Sequence, residues 1–100
     1  QFGYRHQGKL VLRGRLSEAS KVAFYAYEAR QLAAIAAVAA ATKTGVLPKA
    51  RGQMCVDCHG MAFCYDHRNY NEPLKVDPVC RKCNARRGRS EDFPILYYVA

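Results

Sequence analysis

Two Cys-x-x-Cys pairs, Cys55/Cys58 and Cys80/Cys83, are the residues of this chain best suited to chemistry. Each pair presents two thiolates from one tight turn, and two such turns supply the four ligands that a tetrahedral zinc ion takes. Twenty-one residues separate the pairs, one more than the upper end of the usual two-knuckle spacing. Two disulfides or free buried thiols are the rival arrangement, but five cysteines cannot all pair with one another. His59 and Cys64 could each replace a ligand in a shifted register. The simpler reading leaves His59 exposed at the knuckle turn and makes Cys64 a small buried apolar residue of a strand.

Inside the zinc frame, Asp66, His67 and Asn84 could form a second, catalytic site. Metal-assisted phosphodiester cleavage needs an oxygen-ligated cation and a general base that titrates near neutrality. Asp66 and the amide oxygen of Asn84 suit Mg²⁺ or Mn²⁺, and His67 suits the base. His67 would project opposite to Asp66 on an extended segment. Arg81, Lys82, Arg86, Arg87 and Arg89 crowd the second knuckle, and Arg68 follows His67. These six cations are the expected nucleic-acid surface, reading backbone or shape rather than base sequence. Tyr65 and Tyr70 could add stacking.

The elements that must position these groups follow from patterning. Residues 1–16 carry four basic side chains and no acid, and form either a basic arm or a short strand over Lys9 to Arg13. Residues 17–45 read as a long alanine-rich helix with Ser17 as N-cap, Glu18 in the first turn and Gly45 as its stop. Val22, Tyr25, Ala29, Leu32, Ala36 and Ala39 share one face of it at three- and four-residue steps. At roughly 40 Å the helix exceeds what so small a zinc unit can cover; it is either an ordinary scaffold helix or one partly covered by self-association or a protein partner. A break near Arg30-Gln31 is the alternative. Residues 46–54 are a basic linker and 55–90 the zinc module. In the module, short strands over Met61 to Tyr65 and Leu74 to Val79 flank a turn at NYNEP, and a helical turn ends at Gly88. Residues 91–100 form an apolar tail expected to pack on the long helix. The fold class is small α+β.

Sixteen Lys and Arg against eight Asp and Glu leave a net charge of +8, which favours a polyanionic partner, DNA before a membrane surface. Reduced cysteines at metal spacing point to the cytoplasm. The chain opens at Gln1 without a charged-then-apolar pattern, so no export signal is expected. The longest apolar run, Leu32 to Ala41, is ten residues, about half a membrane span.

Asp66-His67 followed by VCRKCNARRG resembles the core of the HNH nucleases (the His-Me finger or ββα-metal group), in the subset with CxxC, Asp-His and CxxCN. Phage junction-resolving endonucleases belong to that subset. The resemblance runs from Cys55 to about Arg89. It implies structural zinc on the four cysteines, a catalytic Mg²⁺ or Mn²⁺ on Asp66 and Asn84, His67 as general base, and a treble-clef or ββα-metal module. The stretch YDHRNYNEPLKVDPVCRKCN is also similar to small phage zinc-ribbon proteins. The chain departs from the nuclease pattern in a short loop between His67 and Cys80 that lacks a Gly-rich turn. Lys75, Val76 and Asp77 stand where a middle Asn is expected. The leading expectation is therefore a phage or mobile-element DNA endonuclease of HNH type. The alternatives are a non-catalytic zinc ribbon that binds DNA, RNA or a nucleic-acid enzyme as a regulator, and an interaction or virion protein stapled by zinc.

Overall fold

Alanine richness and two well-formed caps explain the longest element of the computed structural model, which describes residues 14–99 together with the backbone of 3–6 and 9–12. Helix α1 spans Glu18–Thr44 without interruption. Ser17 caps it, its side chain accepting from the Ser20 N–H at 3.2 Å, and Gly45 ends it in the left-handed region at φ 84°. Glu18 and Lys43 sit at the ends where their charges suit the helix dipole. No helix among the described residues is long and apolar enough to cross a membrane.

Among the described residues, three two-stranded antiparallel sheets accompany the helix. Strands β1 (Gly3–His6) and β2 (Lys9–Leu12) pair from Gly3↔Leu12 to His6↔Lys9. The expected basic arm rests on side chains of residues 1–13, which lie outside the described residues. Strand β3 (Arg15–Leu16) pairs with β6 (Tyr98–Val99) and brings the tail to the start of α1. Strands β4 (Cys64–His67) and β5 (Val76–Val79) form the hairpin of the cysteine module, and helix α2 (Arg81–Arg87) follows at once. The hairpin loop is closed by Asn69, whose side chain accepts from the Asn71 N–H at 2.8 Å. The first knuckle lies on β5 as a strap, with Val56 N–H donating to Pro78 O (3.0 Å) and Phe63 N–H to Val79 O (2.8 Å). That strap takes up Met61–Phe63, so β4 begins later than alternation predicts.

The buried residues of α1 are Ser20, Tyr27, Ala34 and Ala41, one every seven positions. Ser20 Oγ accepts from the Tyr97 N–H at 2.7 Å. Tyr27 lies edge-on between Tyr70 (5.5 Å) and Phe93 (5.0 Å), and its hydroxyl bonds Ser90 Oγ at 2.9 Å. Asp92 ties the tail to both neighbours, accepting from Arg30 Nε (3.2 Å) and from the Tyr70 N–H (3.2 Å). The face that apolar spacing singles out does not pack inward: Val22 and Leu32 are 69 % and 70 % exposed. Apolar residues occupy both sides of α1. The inner side is chosen by Ser20, Tyr27 and Arg30, whose polar atoms find partners in the tail.

Candidate metal centre and its surroundings

Cys55, Cys58, Cys80 and Cys83 bring their four sulfurs within 4.8 Å of one another. The Sγ atoms of Cys58 and Cys80 are 3.7 Å apart. Ligands about 2.3 Å from a tetrahedral ion stand about 3.8 Å from each other, so the Cys58–Cys80 spacing is that of a zinc site and the other sulfurs stand close enough to complete it. All five cysteines are free thiols, which sets the disulfide alternative aside. Cys55, Cys83 and Val79 are the buried core of the module, with Cys64 and Cys80 packed on them. A core made largely of thiols has little apolar surface to hold it, so a metal bound there would contribute much of its stability.

Local backbone chemistry prepares the thiolates. Cys80 is the N-cap of α2 and its sulfur accepts from the Cys83 N–H at 3.4 Å, which holds the Cys80 thiol below its ordinary range. Burial would raise Cys55, but backbone N–H groups of Cys58, Cys80 and Asp57 outweigh it and bring that thiol down to about 6. Cys83 is pushed up to about 12, first by its hydrogen bond with Cys80 and then by burial. Four thiols so close cannot all ionise without a cation at their centre. His59 takes φ 65° at the end of the first knuckle and is exposed, and neither it nor Cys64 belongs to the cluster. Cys64 is half-buried, and burial raises its thiol.

A second centre lies on the far end of α2, where one guanidinium meets three carboxylates. Arg87 donates to both oxygens of Asp57 (2.7 and 2.8 Å), to Asp66 (2.9 Å) and to Asp77 (2.9 Å). Asp66 and Asp77 face each other across the β4–β5 pair, where like charges repel unless a cation stands between them. Arg68 adds two bonds to Asp66, at 2.8 and 3.3 Å, and donates to the carbonyls of Arg87 and Gly88. Arg87 thereby joins the first knuckle, the hairpin and α2. Its bonds hold the Asp57 carboxyl below the usual carboxylate range.

These contacts fix where the remaining expected site residues stand. Asp66 is buried at 8 % exposure and bound by two arginines. His67 is buried beside it, its Nε2 2.8 Å from Pro73 O and its ring 5.1 Å from that of Tyr70. Asn84 is half-buried on α2, and its side chain has no hydrogen-bond partner among the described residues. Of the six cations expected at a nucleic-acid surface, Arg68 and Arg87 are engaged in these ion pairs, while Arg81, Lys82, Arg86 and Arg89 are exposed without a carboxylate partner among the described residues. Tyr65 turns its hydroxyl to Pro48 O and Gln53, and Tyr70 takes a bond from Gln31, so both rings serve packing.

Sequence reasoning missed Phe63, which is 37 % exposed. Arg81 lies 3.9 Å and Arg51 4.7 Å from its ring centroid. Neither arginine has a carboxylate partner among the described residues. Beside this ring a cavity of about 350 Å³ opens between α1 and β4, walled by Ile35, Val38 and Thr42 on one side and Tyr65 and His67 on the other. Lys49 and Arg51 also line it. No local signal marks the platform, because residues 51, 63 and 81 are far apart in the sequence and only folding brings them together. No family model, no curated protein and no solved structure matches this chain.

Proposed function

We propose that the four cysteines hold zinc and that the module so fixed binds nucleic acid through its phosphate backbone. The donor set is all thiol, which selects a soft or borderline ion over Mg²⁺ or Ca²⁺, and its spacing suits a tetrahedral site. When bound, the ion supplies a fixed divalent charge joining the first knuckle to the start of α2, completing a knuckle–hairpin–helix unit of treble-clef type.

The observation that carries nucleic-acid binding is the Phe63 platform with Arg51 and Arg81 over its ring. Exposed arginines free of carboxylates neutralise phosphates, and guanidinium planes held on an aromatic ring can themselves stack on a base. Lys49 and Lys82 extend the same charge, and DNA is the first polyanion to test. An Arg51→Ala, Arg81→Ala pair should weaken DNA affinity about tenfold or more and lower the salt slope by about two. Titration of labelled single- and double-stranded DNA at several salt concentrations measures both quantities. Unchanged affinity and slope in that variant, with metal content intact, would sink the reading.

A second reading, metal-dependent DNA cleavage, is favoured by His67. A carbonyl oxygen can only accept, so the bond to Pro73 O puts the proton on Nε2 and leaves Nδ1 able to accept one, on the face of β4 opposite to Asp66. In this reading Asp66 and Asn84 take Mg²⁺ or Mn²⁺. The ion pairs at Asp66 favour binding over cleavage, because a cation there must displace Arg68 or Arg87. Nicking of supercoiled DNA with Mn²⁺ that vanishes in His67→Ala, at constant zinc content, would establish cleavage. Tight DNA binding without nicking by either protein leaves the binding module alone.

A further inference from the structure

We infer that α1 is the interface of an antiparallel homodimer, with a two-fold axis passing between Arg30 and Gln31. Val22, Tyr25, Ala29, Leu32, Ala36 and Ala39 follow one another at steps of three, four, three, four and three residues, the seam of a two-stranded coiled coil. All six are exposed, and they lie across the helix from the heptad Ser20, Tyr27, Ala34 and Ala41 that the chain's own tail and hairpin cover. The helix thus carries two seams, and its own domain uses one.

The choice of a second copy rests on how this seam meets itself. With the axis at its midpoint, Val22 meets Ala39 of the other copy, Tyr25 meets Ala36, and Ala29 meets Leu32. Every layer then sets one large side chain against one alanine, the alternation that fills an interface without voids or overlap. A two-fold makes each pairing occur twice, as an isologous interface requires. Parallel pairing would set Tyr25 on Tyr25 and Ala29 on Ala29, crowding one layer and leaving the next empty. One further layer out at each end, the same register brings Glu18 against Lys43 of the other copy. Lys43 has no carboxylate partner among the described residues, and Glu18 holds only an exposed pair with Lys21. Antiparallel packing also opposes the two helix dipoles favourably.

The flanks agree. Ala19, Ala26, Ala33 and Ala40 line one edge of the seam, all exposed, and let the backbones approach closely. The large seam residues Val22, Tyr25 and Leu32 are 69 %, 58 % and 70 % exposed, so each has apolar surface to bury against the other copy. The interface is independent of nucleic-acid binding.

Sedimentation equilibrium or light scattering on the metal-loaded chain across micromolar concentrations tests it. The wild type should approach twice the 11.2 kDa of one chain. Leu32→Asp changes an exposed residue next to the axis. It should return the mass to one chain with metal content and helical circular dichroism unchanged. Glu18→Lys should weaken the dimer about three- to tenfold, and E18K/K43E should restore most of it. A wild-type monomer at all concentrations, or a dimer that L32D leaves intact, overturns the interface and gives the face to another occupant. A double variant no tighter than E18K alone overturns the antiparallel register.

Discussion

Replacing Arg87 by alanine should cost more stability than its half-exposed position suggests, because one guanidinium separates carboxylates that the hairpin forces together. The magnitude is set by Asp66, whose side chain is only 9 % exposed. Orphaning a buried charge costs about 3–5 kcal/mol, and Asp66 keeps Arg68, which brings the expected loss to about 2–3 kcal/mol. Asp57 and Asp77 are more open to water, are screened, and add little. For a domain of this size that loss corresponds to a melting point lower by roughly 10–20 °C. Thermal or urea unfolding of the metal-loaded chain at low salt measures it. Arg87→Lys keeps the charge but not the fork that reaches three acids, so it should fall between wild type and alanine. The sharper test is Asp77→Asn. In the wild type it removes the negative charge that pairs with Arg87 and is mildly destabilising. In the Arg87→Ala background it removes the charge facing Asp66 and should stabilise. The same sign for Asp77→Asn in both backgrounds would refute the account, as would a loss below about 1 kcal/mol for Arg87→Ala.

Two further outcomes follow from the thiol cluster. Cys80→Ser removes a ligand but leaves a hydroxyl able to cap α2, so the chain should lose its metal and the module its cooperative melting through the metal alone; retention of a full equivalent of zinc refutes the site. Acid should act in the same direction. Cys55 titrates in the folded chain at about 6, below its ordinary 9.0, so its contribution is complete above pH 9 and is lost as pH falls through 6. Metal content followed by atomic absorption should therefore decline from neutrality toward pH 5, and full retention there contradicts this. His59→Gly relieves a left-handed conformation at the knuckle and should leave the melting point unchanged or raise stability by up to about 1 kcal/mol. A clear fall would show that the imidazole itself makes a contact worth more than the strain.

What the sequence disclosed and what it concealed divide by range. Local signals read well: the Ser17 and Gly45 caps of α1, the stop at Gly88, the turn at Asn69 and the ligand spacing of the knuckles all depend on residues within a few positions of each other. The inner face of α1 did not read correctly, because alanine fits either side and the choice is made by tail residues sixty or more positions away, such as Ser90 and Asp92. The three acids around Arg87 were hidden for the same reason. Asp57 and Asp77 look like ordinary turn and strand polars until the strap is laid on β5. Phe63 drew no notice inside its apolar run, yet the strap before β4 leaves it at the surface beside two arginines.

The cations around α2 differ in how far they are already paired. At its C-terminal end Asp57, Asp66 and Asp77 hold Arg68 and Arg87, while Arg86 and Arg89 stay exposed without a carboxylate partner among the described residues. A dication on the four cysteines would leave a charge of about −2 at the start of α2. At the N-terminal end Arg81 and Lys82 are exposed, and Arg51 and Lys49 reach the same place from the linker. The excess positive charge of the chain is therefore of use to a ligand only where it is unpaired. This is why neutralising Arg51 and Arg81 should weaken DNA binding, whereas loss of Arg87 should act first on folding.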